Sequence, residues 1–320
     1  MSGTNSRCNS GKGVSKLALA DKAEQALTLL NNMAFLILHH GALGDFVLTW
    51  PALKCLRSVF PDQPFFGIGR PEYMRLAVRQ GLIGAFRDIH AAAMLDVLSG
   101  NALPSDMPPL SGAALWHSQA EPITRLLRGS GALSVAAIRP FPDTRMHVAQ
   151  YYCETLHRIF SFNIPSPLTH GFPSRLHPTR TYALIHPGSG SRAKNYAPPL
   201  YCAVAEKLRQ HGYDDIRFVL GPVELERGAA QEFRNERIEV PEHVGQLADL
   251  LEGASLYIGN DSGASHLAAM LGVPTLALYK ATDPAVWGVI GQHATSAKAQ
   301  DEAAALACVA QWFEMRPIFR

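Results

Sequence analysis

Phe35-Leu36-Ile37-Leu38 is a short, unbroken apolar run, and a few positions later, from Phe46, apolar residues recur near helical spacing. An apolar run without alternation suits a strand buried on both faces, as in a parallel sheet covered by helices. The same unit returns as a strand over 65–68, a helix over 72–80 closed by Gly81, short strands near Ile89 and over 133–138, and a helix over 147–160. Repeated strand and helix alternation predicts an α/β fold with a doubly wound parallel sheet.

The alternation pauses once. Residues 163–181, NIPSPLTHGFPSRLHPTRT, contain four prolines and read as a linker, set at 166–181. Beyond it come strands over 182–185, 216–220, 255–258 and 275–278, helices over 199–210, 224–235, 244–251 and 262–271, and a last helix over 301–313. Two domains are therefore expected, 33–165 and 182–300, preceded by a polar tail at 1–32 and followed by a segment at 301–320. Ligands of such sheets lie outside the carboxyl ends of the strands, so the cleft between the halves is the place to look.

Composition narrows the function classes. In 320 residues, 47% are hydrophobic and 18% charged, the net charge is +2, and no long like-charged block occurs. A nucleic-acid binder that works through phosphate contacts is not indicated. Five dispersed cysteines without a C-x-x-C pair argue against a disulfide framework or a structural zinc site, and so for a reducing, cytoplasmic setting. No apolar run approaches the roughly 18 to 20 residues that span a bilayer. The opening MSGTNSRCNSGKG and the weak LALA do not make a secretory signal, and Met33, just before the first strand, is an alternative start.

Four turns carry chemistry. The first strand gives way to Leu38-His39-His40-Gly41-Ala42-Leu43-Gly44-Asp45-Phe46. Asp45 directly precedes a helix expected to start at Phe46, so spacing alone admits a helix cap or a general base. For His39 and His40, packing or hydrogen bonding under the turn is the plainer expectation, and no third ligand nearby suggests a metal site.

In the second half, IHPGSGSRAK offers the backbone of Gly188, Ser189 and Gly190 to an anion and Lys194 as a point charge. It also fits G-x-G-x-x-A, but Pro198 and Pro199 delay the helix, so a dinucleotide fingerprint lacks its context, and no Walker loop is present. In YIGNDSGASHLAAMLGVP, Ser262 and Gly263 open a helix whose free N–H groups suit a pyrophosphate. Asp261 there reads as a cap or a ligand contact, and His266 as a satisfied helix histidine or a ligand contact. In LYKATDPAVWG, Lys280 reads as a phosphate contact or a solvated lysine.

The segments LHHGALGDFVLTWPALKCLRSVFPD, ALIHPGSGSRAKNYAP and IGNDSGASHLAAMLGVPTLALYKATDPAVWG, in this order, resemble glycosyltransferase family 9, the bacterial heptosyltransferases of the lipopolysaccharide core. The resemblance spans about Phe35 to Gly288. It implies a GT-B fold, in which two Rossmann-like domains face each other, the first holding the acceptor and the second the nucleotide sugar, without an essential metal or cofactor. By matching position Asp45 falls on the catalytic acid of the family, Lys194 on its phosphate-contacting lysine, and Asp261, Ser262 and Gly263 on its donor loop. Gly188, Ser189, Gly190, His266 and Thr282 are expected to complete the donor site, and His39, His40 and Gly41 to touch the acceptor.

The implied partners are a nucleoside-diphosphate sugar, with ADP-heptose favoured, and a lipid-linked saccharide, which would bring the protein to the inner face of the inner membrane as a peripheral guest. The implied last helix crosses back to the first domain. A different donor, or a nucleotide-sugar-binding protein without turnover, are the rival readings.

Two departures stand out. His39 replaces a frequent Arg or Lys, which would make the charge near Asp45 pH-dependent. Lys280-Ala281 replaces a frequent Gly-Pro, which would set a cation close to the donor. Between Glu121 and Arg180, seven arginines against three acids suit an anionic acceptor, although scattered solvated arginines are commoner.

Overall fold

The computed structural model describes residues 33–169, 172–173 and 182–315. The expected tail at 1–32, most of the linker and residues 316–320 lie outside them. The first sheet holds β1 (Ala34–His39), β2 (Phe65–Gly69), β3 (Ala85–Asp88), β4 (Leu110–Trp116) and β5 (Ser134–Ile138), in the order β3-β2-β1-β4-β5. The second holds β6 (Tyr182–His186), β7 (Asp215–Val219), β8 (Arg237–Glu239), β9 (Ala254–Asn260), β10 (Thr275–Tyr279) and β11 (Ala294–Lys298), in the order β11-β10-β9-β6-β7-β8. Their pairings are parallel.

The apolar runs are explained by burial on both faces. On β1, Phe35 and Ile37 enter one core cluster while Ala34, Leu36 and Leu38 enter another. On β6, Leu184 and Ile185 likewise part to opposite faces. The cluster that takes Phe35 and Ile37 runs on from the first sheet through Phe46 and Val47 to Ala264, Leu267 and Ala268, so one core is shared across the seam between the lobes.

That seam is narrow because it is built on glycine. A Cβ on Gly263 would lie 2.9 Å from the Leu43 Cβ and 3.1 Å from the Gly44 nitrogen, and one on Gly44 would lie 3.1 Å from the His266 ring. The starts of the Leu43–Leu48 and Gly263–Met270 helices thus abut.

Several expectations need correction. The helix expected from Phe46 to Phe60 is two helices, Leu43–Leu48 and Trp50–Val59, divided at Thr49, whose hydroxyl donates to the Phe46 carbonyl (2.7 Å). The helix expected over 224–235 is split into Pro222–Glu226 and Ala229–Glu232 by Gly228 at φ 82°. The last helix, Glu302–Glu314, does not cross back to the first domain. Its Ala305, Val309, Trp312 and Phe313 fill the outer core of the second sheet, and the Trp312 indole N–H donates to Thr295 on β11 (3.1 Å).

Strand order reverses between β1 and β4 in one sheet and between β6 and β9 in the other, and such switch points open the crevice that binds ligands. The turns that follow β1, β6 and β9 are three of those that the sequence marks for chemistry.

Candidate active site

A cavity of about 460 Å³ lies between the lobes. From the first lobe it is lined by Ala42, Gly44, Asp45, Leu48 and Phe141, and from the second by Gly190, Ser191, Lys194, Asp261–Gly263, His266, Thr282 and Trp287. A separate cleft of about 430 Å³, lined by Glu72, Arg75, Arg79 and His243 among others, holds neither Asp45 nor Lys194.

Asp45 sits in the first turn of the Leu43–Leu48 helix, not before a helix at Phe46. Ala42 is the cap residue, and the Asp45 carboxylate reaches back to accept its N–H at 3.2 Å. This turn needs Gly41, because a Cβ there would lie 2.9 Å from the His39 ring and 3.1 Å from the carboxylate. Burial pushes the Asp45 pKa up, and it is opposed by the Ala42 N–H and by His266 and Lys194, while Asp261 adds to the rise. A carboxylate so placed is more basic than a solvated one, which suits proton abstraction.

Asp261 resolves the other way. It follows β9, is 4% exposed, and is not the helix cap. Ser262 is, its hydroxyl accepting the Ser265 N–H at 3.3 Å. The Asp261 Oδ2 takes the Lys194 ammonium at 2.7 Å and the Thr282 hydroxyl, and its Oδ1 lies 3.7 Å from His266 Nε2. Burial alone would raise its pKa, but His266, Lys194 and Thr282 outweigh that and hold it at about 2. Beside this pair, the first-turn N–H groups of the Gly263–Met270 helix have no carbonyl partners within the helix.

Lys194 ends a 3-10 turn, Arg192–Lys194, that a buried amide fixes. Asn260, fully buried, accepts from the Tyr201 hydroxyl (2.7 Å) and donates to the Pro187 carbonyl (2.9 Å) and the Asn195 side chain (3.4 Å), so the Lys194 loop and the Asp261 turn are tied to one side chain. Lys298 donates to the carbonyls of Lys280 and Thr282, both at 3.0 Å, and so shapes the loop that presents Thr282.

Of the other glycine-loop residues, Gly190 is open, with nothing within 4 Å of an added Cβ. Gly188 and Ser189 are buried. A Cβ on Gly188 would collide with Glu224, and the Ser189 hydroxyl donates to the Ser191 carbonyl at 2.8 Å. Glu224 itself, which the sequence marks only as part of a helix, is buried beside His186, with 3.9 Å between Oε2 and Nε2, and His186 Nδ1 meets the Ser262 hydroxyl at 3.3 Å.

The acceptor-side expectations fare less well. His39 is buried, packs on the Phe46 ring (5.1 Å between centroids) and accepts the Gly41 N–H at 3.3 Å. Burial, reinforced by His40 and Arg70, drops its pKa to about 3, so it brings no titrating charge to Asp45 near neutrality, and it does not line the cavity. His40 is exposed just past the carboxyl end of the central strand β1, beside His90 and His117. Lys280 turns away from the cavity toward the Asn195 carbonyl (3.4 Å), Glu302 (3.6 Å) and the Tyr196 ring (5.1 Å), so it sets no cation beside a donor there. Arg125, Arg139 and Arg145 are engaged with Glu121, Asp143 and Asp283, while Arg175 and Arg180 lie outside the described residues.

Two parallel-sheet lobes with a cavity between their switch points make up a GT-B fold. More particularly, residues 163–311 match glycosyltransferase family 9 (heptosyltransferase), which bears out the resemblance read from the motifs and marks the chain as a glycosyltransferase.

Solved structures carry the same fold. E. coli heptosyltransferase WaaC with ADP is 18% identical, covers 88% of this chain and 99% of its own, and superposes with a TM-score of 0.67. A glycosyl transferase family 9 protein from Veillonella parvula is 18% identical over 88% of this chain and 90% of its own, also at 0.67. E. coli ADP-heptose lipopolysaccharide heptosyltransferase II is 15% identical over 89% of this chain and all of its own, at 0.64. No curated protein sequence matches significantly.

Proposed function

We propose that this chain is an inverting transferase that moves a heptose, or a closely related sugar, from a nucleoside-diphosphate donor to a saccharide of the lipopolysaccharide core. The observation that carries the reading is that Asp45 from one lobe and the Lys194–Asp261 pair from the other line the same cavity. The donor diphosphate would lie against Lys194, Gly190 and the start of the Gly263–Met270 helix, where a cation and free N–H groups meet negative charge. The acceptor hydroxyl oxygen then forms a bond to the anomeric carbon as the bond from that carbon to the diphosphate oxygen breaks. Its proton passes to Asp45, and the electron pair leaves with the diphosphate toward Lys194. Attack on the face opposite the leaving group inverts the anomeric centre.

Base assistance is worth about 10² to 10⁴ in rate, and preorganised donors at the leaving group add a further electrostatic term. ADP-heptose is the favoured donor because relatives of this fold are solved with ADP and with an ADP-heptose analogue. A lipid-linked acceptor would bring the protein to the cytoplasmic face of a membrane as a peripheral enzyme. Among the described residues no helix is long and apolar enough to cross one.

A thermal-shift panel tests the donor. ADP and ADP-heptose should raise the melting temperature more than uridine or guanosine diphosphates and their sugars, because a ligand of the folded state alone stabilises it by mass action. A panel in which no nucleotide moves the transition contradicts the reading.

A further inference from the structure

Phe141 is 58% exposed, the one exposed Phe, Tyr or Trp among the described residues, yet its surroundings hold it in place. The hydroxyl of the buried Tyr152 donates to the carbonyl of Pro140 at 2.7 Å, and Arg139 pairs with Asp143 at 2.6 Å across the loop. The same segment is stapled to the other lobe. Arg145 donates to Asp283 at 2.8 Å, and His147, whose Nδ1 accepts the Ala149 N–H, donates from Nε2 to the Gly288 carbonyl at 2.9 Å.

Its ring ends 5.6 Å from that of Trp287, edge to face at 66°. Both rings line the cavity that holds Asp45 and Lys194. The two rings place apolar surface on the wall of a cavity that also holds a carboxylate and an ammonium, the mixed lining that suits a sugar with its C–H faces and hydroxyls.

We propose that Phe141 and Trp287, one from each lobe, form an aromatic clamp for the transferred sugar. The sugar must sit between the diphosphate cradle and Asp45. There its C–H face packs on the rings, and the Trp287 indole N–H, a donor without acceptor capacity, suits one of its hydroxyls. Each lobe supplies one ring, so the pair exists only where the lobes are stapled together, and sugars of different facial shape are discriminated at it. The clamp rests on the sugar-nucleotide reading above.

Trp287 can report on itself, because Trp50, Trp116 and Trp312 are buried and Trp287 is not. Acrylamide quenching of tryptophan emission is measured on the wild type with saturating ADP and with saturating ADP-heptose, and Trp287→Phe confirms the source of the signal. ADP-heptose should shield the quenchable component at least about twofold more than ADP, and Phe141→Ala should weaken ADP-heptose binding about tenfold while leaving ADP within about twofold, a tenfold change being the usual scale for truncating a contacting aromatic.

Equal shielding by ADP and ADP-heptose, or a Phe141→Ala variant that binds both as the wild type does, overturns the clamp and leaves the transferase reading standing. Failure of the wild type to bind either nucleotide overturns both. Phe141→Leu, which keeps apolar bulk without the ring, should fall between wild type and Phe141→Ala for ADP-heptose; loss of ADP affinity in both variants assigns the residue to holding the lobes together and overturns the sugar contact.

Discussion

The Lys194 ammonium lies 2.7 Å from the Asp261 carboxylate, so the cation expected to meet the donor is already paired across two loops of the second lobe. Lys194→Ala should weaken ADP binding by roughly ten- to a hundredfold, the range for one hydrogen bond to a charged group. It should also lower the melting temperature, because Asp261 is nearly fully buried and keeps only Thr282 and His266 as neighbouring donors. Titration calorimetry and a melting curve read both effects, and unchanged affinity removes Lys194 from the cradle.

The glycines of the site separate structure from binding. Gly263→Ala would press a methyl group onto Leu43 and the Gly44 backbone, and should cost about 1–3 kcal/mol of stability, the usual scale of overpacking. It should cut turnover as well, since the seam that places Asp45 opposite the cradle is forced apart. Gly190→Ala meets nothing within 4 Å and should leave stability unchanged while reducing donor affinity, because its methyl group enters the cavity. Denaturant unfolding beside a donor KM distinguishes the two.

Acid should destabilise the fold in two stages. His39 has a folded pKa of about 3 against an ordinary value of 6.5, and Asp261 about 2 against 3.8. Both are depressed, so each contributes stability that is present above its unfolded pKa and lost as pH falls toward the folded value: between about 6.5 and 3 for His39, and below about 4 for Asp261. Asp45 is raised and acts in the opposite sense, its contribution fading as pH rises above 3.8. His39→Gln, uncharged at every pH, should flatten the loss between pH 6.5 and 3, on the order of a few kcal/mol, in urea unfolding measured against pH. An unaltered slope contradicts the buried neutral imidazole.

The sequence showed most plainly what depends on local pattern. Apolar runs such as Phe35 to Leu38 marked the buried strands, and glycine-rich turns after them marked Asp45, Lys194 and Asp261. What it hid depends on partners distant in the chain. Strand β4, LSGAALW, lies beside β1 at the centre of its sheet, yet its small residues give no periodic signal, since they are selected by close packing on both faces. Strand β11, ATSAK, is an edge strand and correspondingly polar. The knot at Asn260, the buried Glu224 and the Phe141–Trp287 contact arise from residues far apart in the chain that only the folded lobes bring together. The roles of Asp45 and Asp261 were ambiguous because a carboxylate near a helix start satisfies a cap and a catalytic site equally well by spacing. The geometry separates them: Asp45 holds the turn and faces the cavity, and Asp261 anchors the lysine.

Asp45 is the residue on which the proposed chemistry turns. Asparagine there keeps an oxygen for the Ala42 N–H and so keeps the turn, but it cannot take a proton. With ADP-heptose and a core saccharide acceptor, Asp45→Asn should lower kcat by at least about 10², the lower end of base assistance, while ADP binding stays within about twofold. A kcat within about tenfold of wild type, at unchanged nucleotide affinity, would contradict base catalysis by Asp45.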